Sequence, residues 1–472
     1  MVHQLIIPFV GASYQMEAVS FDNQRTVNLY PLLSEVGDSK SVAALRSTPG
    51  LKEEYMIGGG GIRGGIESAD RAFFVSGDEF YEVKADGTTI NHGTLLTATG
   101  IVNLEENPTQ VMVIDGTYGY IFTKATDEFV QITDVDFPTP TSLTFQDGYF
   151  IVTSGQFFAI SSINNGLTWD IADRQTVESS PDALVGVISD SSNLWLFGTK
   201  STEVFQNTGA AAFPFSRISG AVIETGCAAQ ATIKEIDNAV FWLGTDQNGD
   251  AIVWRSNGYN ASRVSTKAIE LKIAESTNFK ESYSWAYHER GSAFLAIQVK
   301  GLKTTLVLDV ATGLWHERVY RNPLTGEEEQ HRGSCHVFFN QKHLIGDRLS
   351  NKIYHMSLSY YDDDGDAMVK QRITPHYDQE RRLITHAQLE LDMEVGVGLQ
   401  TGQGRNPQIM MQYSDNGGHT WSSELWKDLG AVGKYRTRVK WNKLGTARDR
   451  VYKISISDPV FVQINEAVLN GT

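Results

Sequence analysis

In a chain of 472 residues, chemistry must come from side chains whose types and spacing can activate a nucleophile, hold a metal or grip a charged ligand. The most pronounced pattern is basic. Lys434, Arg436, Arg438 and Lys440 alternate with Tyr435, Thr437, Val439 and Trp441, which predicts a strand with cations on one face and apolar groups on the other. Lys443, Arg448 and Arg450 extend the patch, so that nine Lys/Arg stand against two Asp between Lys427 and Lys453. Two readings stay open: a solvated strand face balanced by neighbouring carboxylates, or an interface to an acidic partner or a neighbouring subunit.

Other candidate chemistry is sparse. Gly58-Gly59-Gly60-Gly61 lacks the Lys-Ser/Thr ending of a phosphate loop and reads as a flexible turn. Asp362, Asp363, Asp364 and Asp366 around Gly365 lack the downstream Glu and flanking helices of a calcium loop, which leaves a solvated acidic loop. No Gly-x-Ser-x-Gly, His-Glu-x-x-His or paired Cys-x-x-Cys occurs, and the 11 histidines are scattered. Cys227 and Cys335 read as two reduced, buried thiols. No catalytic residue, metal ligand or cofactor site is expected.

The elements that would position these residues repeat along the chain. An apolar strand, a glycine turn and a second apolar strand recur, as in Phe73-Phe74-Val75-Ser76-Gly77 followed by Phe80-Tyr81-Glu82-Val83. The glycines fall at 77, 116, 155, 198, 244, 301 and 346, with gaps of 39, 39, 43, 46, 57 and 45. A period of about 40–50 residues is that of a propeller blade. One small sheet cannot bury both faces, whereas radial stacking buries them and closure protects the edges. The expected fold class is therefore all-β, a β-propeller of six or seven blades with a C-terminal β-sandwich-like domain.

Two turns agree in finer detail. Ser162, Asn164, Gly166 and Trp169 share the pattern Ser-x-Asn-x-Gly-x-Thr-Trp with Ser414, Asn416, Gly418 and Trp421. The pattern resembles the Asp-box hairpin turn of sialidases and other propellers, with Asn in place of Asp. It is a folding device, in which an Asx side chain bonds turn backbone and Trp packs beneath. The expected organisation is an extended N-terminal segment over 1–60, able to close the propeller, a propeller over 61–358, an acidic linker over 359–369 and a sandwich over 370–472.

Composition limits the function classes. The net charge of −16 argues against a surface that grips nucleic acid, though not against one past which it slides. No stretch is long and apolar enough to predict a membrane span or a secretory leader.

Three segments then carry a resemblance. Asn23-Gln24-Arg25-Thr26-Val27-Asn28-Leu29-Tyr30-Pro31 precedes Arg46-Ser47-Thr48-Pro49-Gly50-Leu51; Ile62-Arg63-Gly64-Gly65-Ile66 enters the first hairpin; and Trp441-Asn442-Lys443-Leu444-Gly445 runs through Arg448 and Arg450 to Val451. Their order and spacing resemble the packaged-DNA stabilisation proteins, or tail hub and nozzle proteins, of short-tailed bacteriophages (podovirus tail accessory factors). The resemblance implies a non-enzymatic virion tail protein, assembled in the host cytoplasm. It implies a homo-hexameric ring below the portal–adaptor ring that continues the DNA channel, retains packaged DNA and docks tail fibres, tailspikes or a needle. Double-stranded DNA would pass without specific binding, and an acidic wall would repel its phosphates. Two rivals remain: a sialidase-like propeller glycoside hydrolase, favoured by the two Asp-box-like turns, and a carbohydrate-binding host adhesin.

Overall fold

Four of the seven repeat glycines, Gly77, Gly116, Gly155 and Gly301, lie between the second and third strands of a four-stranded antiparallel unit, whereas Gly198 ends a second strand and Gly244 and Gly346 are paired residues within one. The computed structural model describes residues 3–35, 41–177, 183–246 and 248–471. In chain order, blade 1 is Ile62–Ser68, Arg71–Ser76, Glu79–Val83 and Thr89–Thr94. Blade 2 is Asn103–Glu106, Gln110–Ile114, Gly119–Thr123 and Glu128–Gln131. Blade 3 is Ser142–Gln146, Tyr149–Ser154, Phe157–Ser162 and the long outer strand Asn165–Thr176. Blade 4 is Leu184–Asp190, Asn193–Gly198, Thr202–Asn207 and Phe215–Ile223. Blade 5 is Lys234–Ile236, Ala239–Thr245, Ala251–Asn257 and Asn260–Arg263. Blade 6 is Tyr283–Glu289, Ser292–Gln298, Thr305–Asp309 and Leu314–Arg321. Blade 7 is Gly333–Phe339, Lys342–Asp347 and Lys352–Ser357, completed by Gly50–Met56 from the other end of the propeller sequence.

Six of these sheets are self-contained blades of a β-propeller, and blade 6 is a further four-stranded unit that runs on into a larger sheet. The expectation of six or seven blades covers both counts. Ring closure is visible in the core. One apolar cluster fills every junction between successive units, from Phe73, Phe80 and Phe122 between blades 1 and 2 to Phe74, Val337 and Leu344 between blades 7 and 1. Strands with both faces buried in this way carry near-continuous apolar runs, as in Phe241-Trp242-Leu243 and Leu194-Trp195-Leu196-Phe197. The single α-helix among the described residues, Lys267–Ala274, lies between blades 5 and 6, with Thr266 as its N-cap.

The outer strand of blade 6 meets Asn23–Val27 in a parallel bridge, Val27 to Glu317. From there the sheet continues through Lys370–Ile373, Asp449–Ile456 and Gln408–Ser414 to Leu425–Asp428. A second sheet faces it, ordered Leu29–Leu33, Ala43–Ser47, Gln463–Gly471, Ile384–Met393 and Val439–Asn442, with His3–Ile7 also paired to Gln463–Gly471. Between them lie Leu389, Leu391, Ile409, Met411, Trp441, Tyr452 and Ile454, the core of a β-sandwich.

Three local expectations are corrected. The strand over 434–441 is only Val439–Asn442; residues 430–438 form a loop in which Tyr435 is 69% exposed, because Gly430 and Gly433 take positive φ and end any regular alternation. The Gly58–Gly61 run is no free turn: a Cβ on Gly60 would lie 2.7 Å from the Gly77 Cα, and the Ser76 hydroxyl donates to the carbonyls of Ile57 and Gly60. The acidic run is not simply solvated. Asp363 is buried, Leu51 bonds the backbone of Asp362 and Asp364, and the Tyr320 hydroxyl donates to Asp366 at 2.6 Å. Burial raises Asp363 to about 6, with Arg318 and Lys370 working against the rise.

Candidate functional site

The inner strands of all seven units surround an axial cavity of about 290 Å³, lined by polar groups that include Asn103, Glu105, Gln230, Lys234 and Cys335. Gln230 crosses it, its amide donating to Asn103 of blade 2 at 3.3 Å and to Ser142 of blade 3 at 3.1 Å. Glu105 and Lys234 face this space. Burial raises Glu105 to about 7 against the pull of Lys234, and burial lowers Lys234. Arg63 also lines the cavity, but its guanidinium is committed. It donates to the carbonyls of Gly77, Thr97, Thr99 and Gly100 and to the Thr97 hydroxyl. The Arg-Gly segment of blade 1 thus tethers the entry strand to the connection into blade 2.

The junction between propeller and sandwich holds the densest buried charge. Glu317 is fully buried and accepts from Arg25 Nε at 2.9 Å and from Lys272. Burial alone would raise its carboxyl; Arg25 and Lys272 outweigh it and hold Glu317 at about 2. Arg25 also pairs with Glu328 at 2.8 Å. Asn28, at φ 51°, donates to the carbonyls of Val319 and Val369 and accepts from the Val319 amide. Arg318 donates to the Pro49 carbonyl at 2.7 Å. Arg372 is fully buried and bonds the Phe9 and Ala12 carbonyls, Thr26 and Gln24. Sequence reading placed Arg25, Asn28 and Pro49 in a family-like motif but gave them no task. The signal for Glu317 was present: a His-Glu-Arg run between Trp315 and Val319 inserts charge into an otherwise apolar strand.

The basic residues separate into three kinds. Arg450 is buried: it clamps Asp415 at 2.5 and 2.8 Å, bonds the Leu444 carbonyl and lies over the Tyr413 ring. Arg438 pairs with Glu390 at 2.6 Å, and Arg448 donates to the Arg381 carbonyl. Lys434, Arg436 and Lys443 are exposed and Lys440 half-exposed, with no ion pair among the described residues. The structure therefore brings Lys434 and Arg436 together on one loop and sets Arg450 apart inside the sandwich.

The two matching turns differ in detail. In the blade 3 turn Asn164 takes φ 54°, while the neighbouring Asn165 supplies the Asx bond to the Leu167 amide. Trp169 is buried and donates to the Gly166 carbonyl, and Ser162 is exposed. A Cβ on Gly166 would strike Ile121 at 2.5 Å. The second turn lies in the sandwich. There Asn416 bonds Thr420 twice, buried Ser414 receives the Gly418 amide, and Trp421 stacks under Lys453 at 4.4 Å. Spatial pairing also links histidines that are seven positions apart: His336 and His343 hydrogen-bond at 2.9 Å across strands of blade 7. No group of three or more potential metal ligands occurs among the described residues, and no helix there is long and apolar enough to cross a membrane.

Comparison with known proteins adds the following. Two family models match in tandem: one described as Bacteriophage P22 Gp10, beta-propeller, over residues 4–361, and one described as Bacteriophage P22 Gp10, beta-sandwich, over residues 370–471. No curated protein matches. PorZ, a surface component of the type-IX secretion system of Porphyromonas gingivalis, is 10% identical over 79% of this chain with a TM-score of 0.39; the chain spans 46% of that protein. The WD40 propeller domain of Doa1 is 11% identical (66% of this chain, 97% of that one, TM-score 0.40). The N-terminal domain of Nup159 is 10% identical (71% and 98%, TM-score 0.42). Likenesses of this size carry no argument about function.

Proposed function

Since the chain belongs to the bacteriophage P22 Gp10 family, in its propeller and its sandwich alike, it is a structural protein of a phage tail, and we propose that it acts there as a hub or nozzle. In this reading six copies form a ring below the portal–adaptor, continue the DNA channel, retain packaged DNA and dock fibres, spikes or a needle. The observation that supports it is the tandem family match, in order, on two domains through which one sheet runs.

The geometry adds a constraint on the channel. Duplex DNA, whose major groove alone is about 12 Å wide, does not fit a cavity of about 290 Å³ crossed by Gln230. A DNA path would therefore lie between copies, not along a propeller axis. The sialidase-like alternative needs free arginines for a substrate carboxylate, and the guanidinium of Arg63 in the axial cavity is already taken by carbonyls and a hydroxyl.

Cryo-electron microscopy of particles carrying the protein tests the proposal. A six-fold ring on the tail axis is expected. Its absence from the axis, or single copies at fibre tips, would overturn the hub reading and favour the adhesin.

A further inference from the structure

Charge in this chain is unevenly placed. Residues 370–472 hold 14 of its 40 Lys/Arg and 11 of its 56 Asp/Glu, which leaves 26 against 45 for the rest. Within the propeller the acidic excess sits in blades 1 to 3, where five Lys/Arg face 16 Asp/Glu between Ile62 and Thr176. In a closed ring of seven units, blades 2 and 3 lie across the axis from blade 6, which carries the sandwich. The molecule is thus polar end to end.

Both poles present exposed apolar groups among their charges. Leu425–Asp428 is the last strand of the long sheet, at the end opposite blade 6. It and the loop after it expose Trp426 (49%), Val432 (46%) and Tyr435 (69%) beside Lys427, Lys434 and Arg436. Glu424 and Asp428 are exposed at the strand ends, and the two loop cations, with no ion pair among the described residues, set the sign of the tip. At the other pole, Asn165–Thr176 is the outermost strand of blade 3, with its far edge unpaired among the described residues. This strand and the turn before it expose Ile163 (62%), Leu167 and Ile171 (64%) beside Asp170, with Asp173 half-buried and Glu128 exposed on blade 2, while the strand's one cation, Arg174, is turned onto the Asp136 carbonyl and the Phe157 ring. Partial burial and then the charge of Asp170 raise Asp173, so the acidic pole carries repulsion that a cationic partner would relieve.

The geometry points to a head-to-tail contact between copies of this chain, in which the basic aromatic tip of one sandwich docks on the acidic apolar outer strand of blade 3 of the next copy. This rests on the ring reading above and supplies the two surfaces that would build the ring. Two unlike patches at opposite poles make a heterologous contact, which repeats and closes into a ring when its rotation allows. The apolar side chains supply buried area, and the opposed charges set register and encounter rate.

The test uses the full-length chain in assembled particles. Tyr435→Cys combined with Ile171→Cys, treated with a bis-maleimide, is expected to yield a ladder of cross-linked chains, and neither cysteine alone should do so. Lys434→Glu with Arg436→Glu is expected to lower incorporation about ten-fold, and Asp170→Lys with Asp173→Lys to restore it in the combined variant. Far-UV circular dichroism checks folding. If the reversals fail to fold, Lys434→Ala with Arg436→Ala replaces them, with incorporation expected to fall and to become less salt-dependent. Unchanged incorporation, or cross-links to a different tail protein, would overturn the contact while a wild-type ring seen by microscopy still stands. Wild-type chains present only as single copies would overturn ring and contact together.

Discussion

Arg63 shows how a single residue can look like a binding group and be a brace. Its guanidinium lines the axial cavity, yet its donors end on four carbonyls and one hydroxyl. Arg63→Ala leaves those buried acceptors unpaired, and a loss of about 2–4 kcal/mol is expected in urea denaturation. Arg63→Lys, which keeps the charge but not the planar fork, should recover only part of it. Histidine sets the acid response. Burial holds His316 and His336 at about 3 and His386 at about 4, and lowers His331 well below the ordinary imidazole range. The unfolded chain takes up protons at these four sites near pH 6.5, while the folded chain does not until far lower. The unfolded state therefore binds more protons across that window, and stability falls as pH drops from about 6.5 towards 4. Glu105 and Asp363, raised to about 7 and about 6, act with the opposite sign, since their contribution fades as pH rises through the same window. The deeply buried histidines are expected to outweigh the raised carboxyls and His376, which is raised against its burial by the Val19 carbonyl and Asp449, so the urea midpoint should be lower at pH 5 than at pH 7. A flat midpoint would contradict burial of neutral imidazoles.

Closure of the propeller belongs to one strand. Gly50–Met56 pairs with Lys352–Ser357, and a register shift between Glu53 and Tyr55 turns the strand over. Leu51 consequently fills the junction of blades 6 and 7, and Tyr55 that of blades 7 and 1. Leu51→Ala should cost about 2–5 kcal/mol, and amide exchange should rise first in blades 6 and 7 while blades 2 to 4 stay protected. Uniform loss of protection would mean that the ring opens as one unit. The blades were legible because apolar strand pairs recur at a near-constant spacing, with a glycine in the turn at Gly77, Gly116, Gly155 and Gly301 and at or inside the second strand at Gly198, Gly244 and Gly346. Other elements were not legible, and for definable reasons. The loop 430–438 mimics a strand because its residues happen to alternate, and only the positive φ of Gly430 and Gly433 marks it otherwise. The partners of Arg25, Asn28 and Arg318 lie 292, 291 and 269 positions away. No local pattern records such a contact. Of the seven basic residues singled out, Arg450 proved to be an internal clamp, which its place in an apolar strand beside Val451 and Tyr452 could have suggested.

At the scale of the molecule, propeller and sandwich differ in architecture but share a sheet and a buried seam of charge. Asn28 is the point where the shared strand leaves one sheet for the other. The positive φ there is tolerable for Asn because its side chain bonds Val319 on blade 6 and Val369 next to the sandwich. Asn28→Ala would keep the awkward backbone and lose three hydrogen bonds, about 3 kcal/mol in all. That loss falls on the coupling between domains and not on either core, because both apolar cores lie elsewhere. A chain whose domains are coupled through one sheet should melt in a single calorimetric transition. The Asn28→Ala variant should resolve into two, with the sandwich and the propeller separating in temperature. Asn28→Gly, which relieves the backbone but still lacks the side chain, should also split the transition, and this distinguishes lost bonds from strain. A single unsplit transition in both variants would show that the buried ion pairs of Glu317 with Arg25 and Lys272 suffice to hold the domains together, and would move the hinge from Asn28 to that seam.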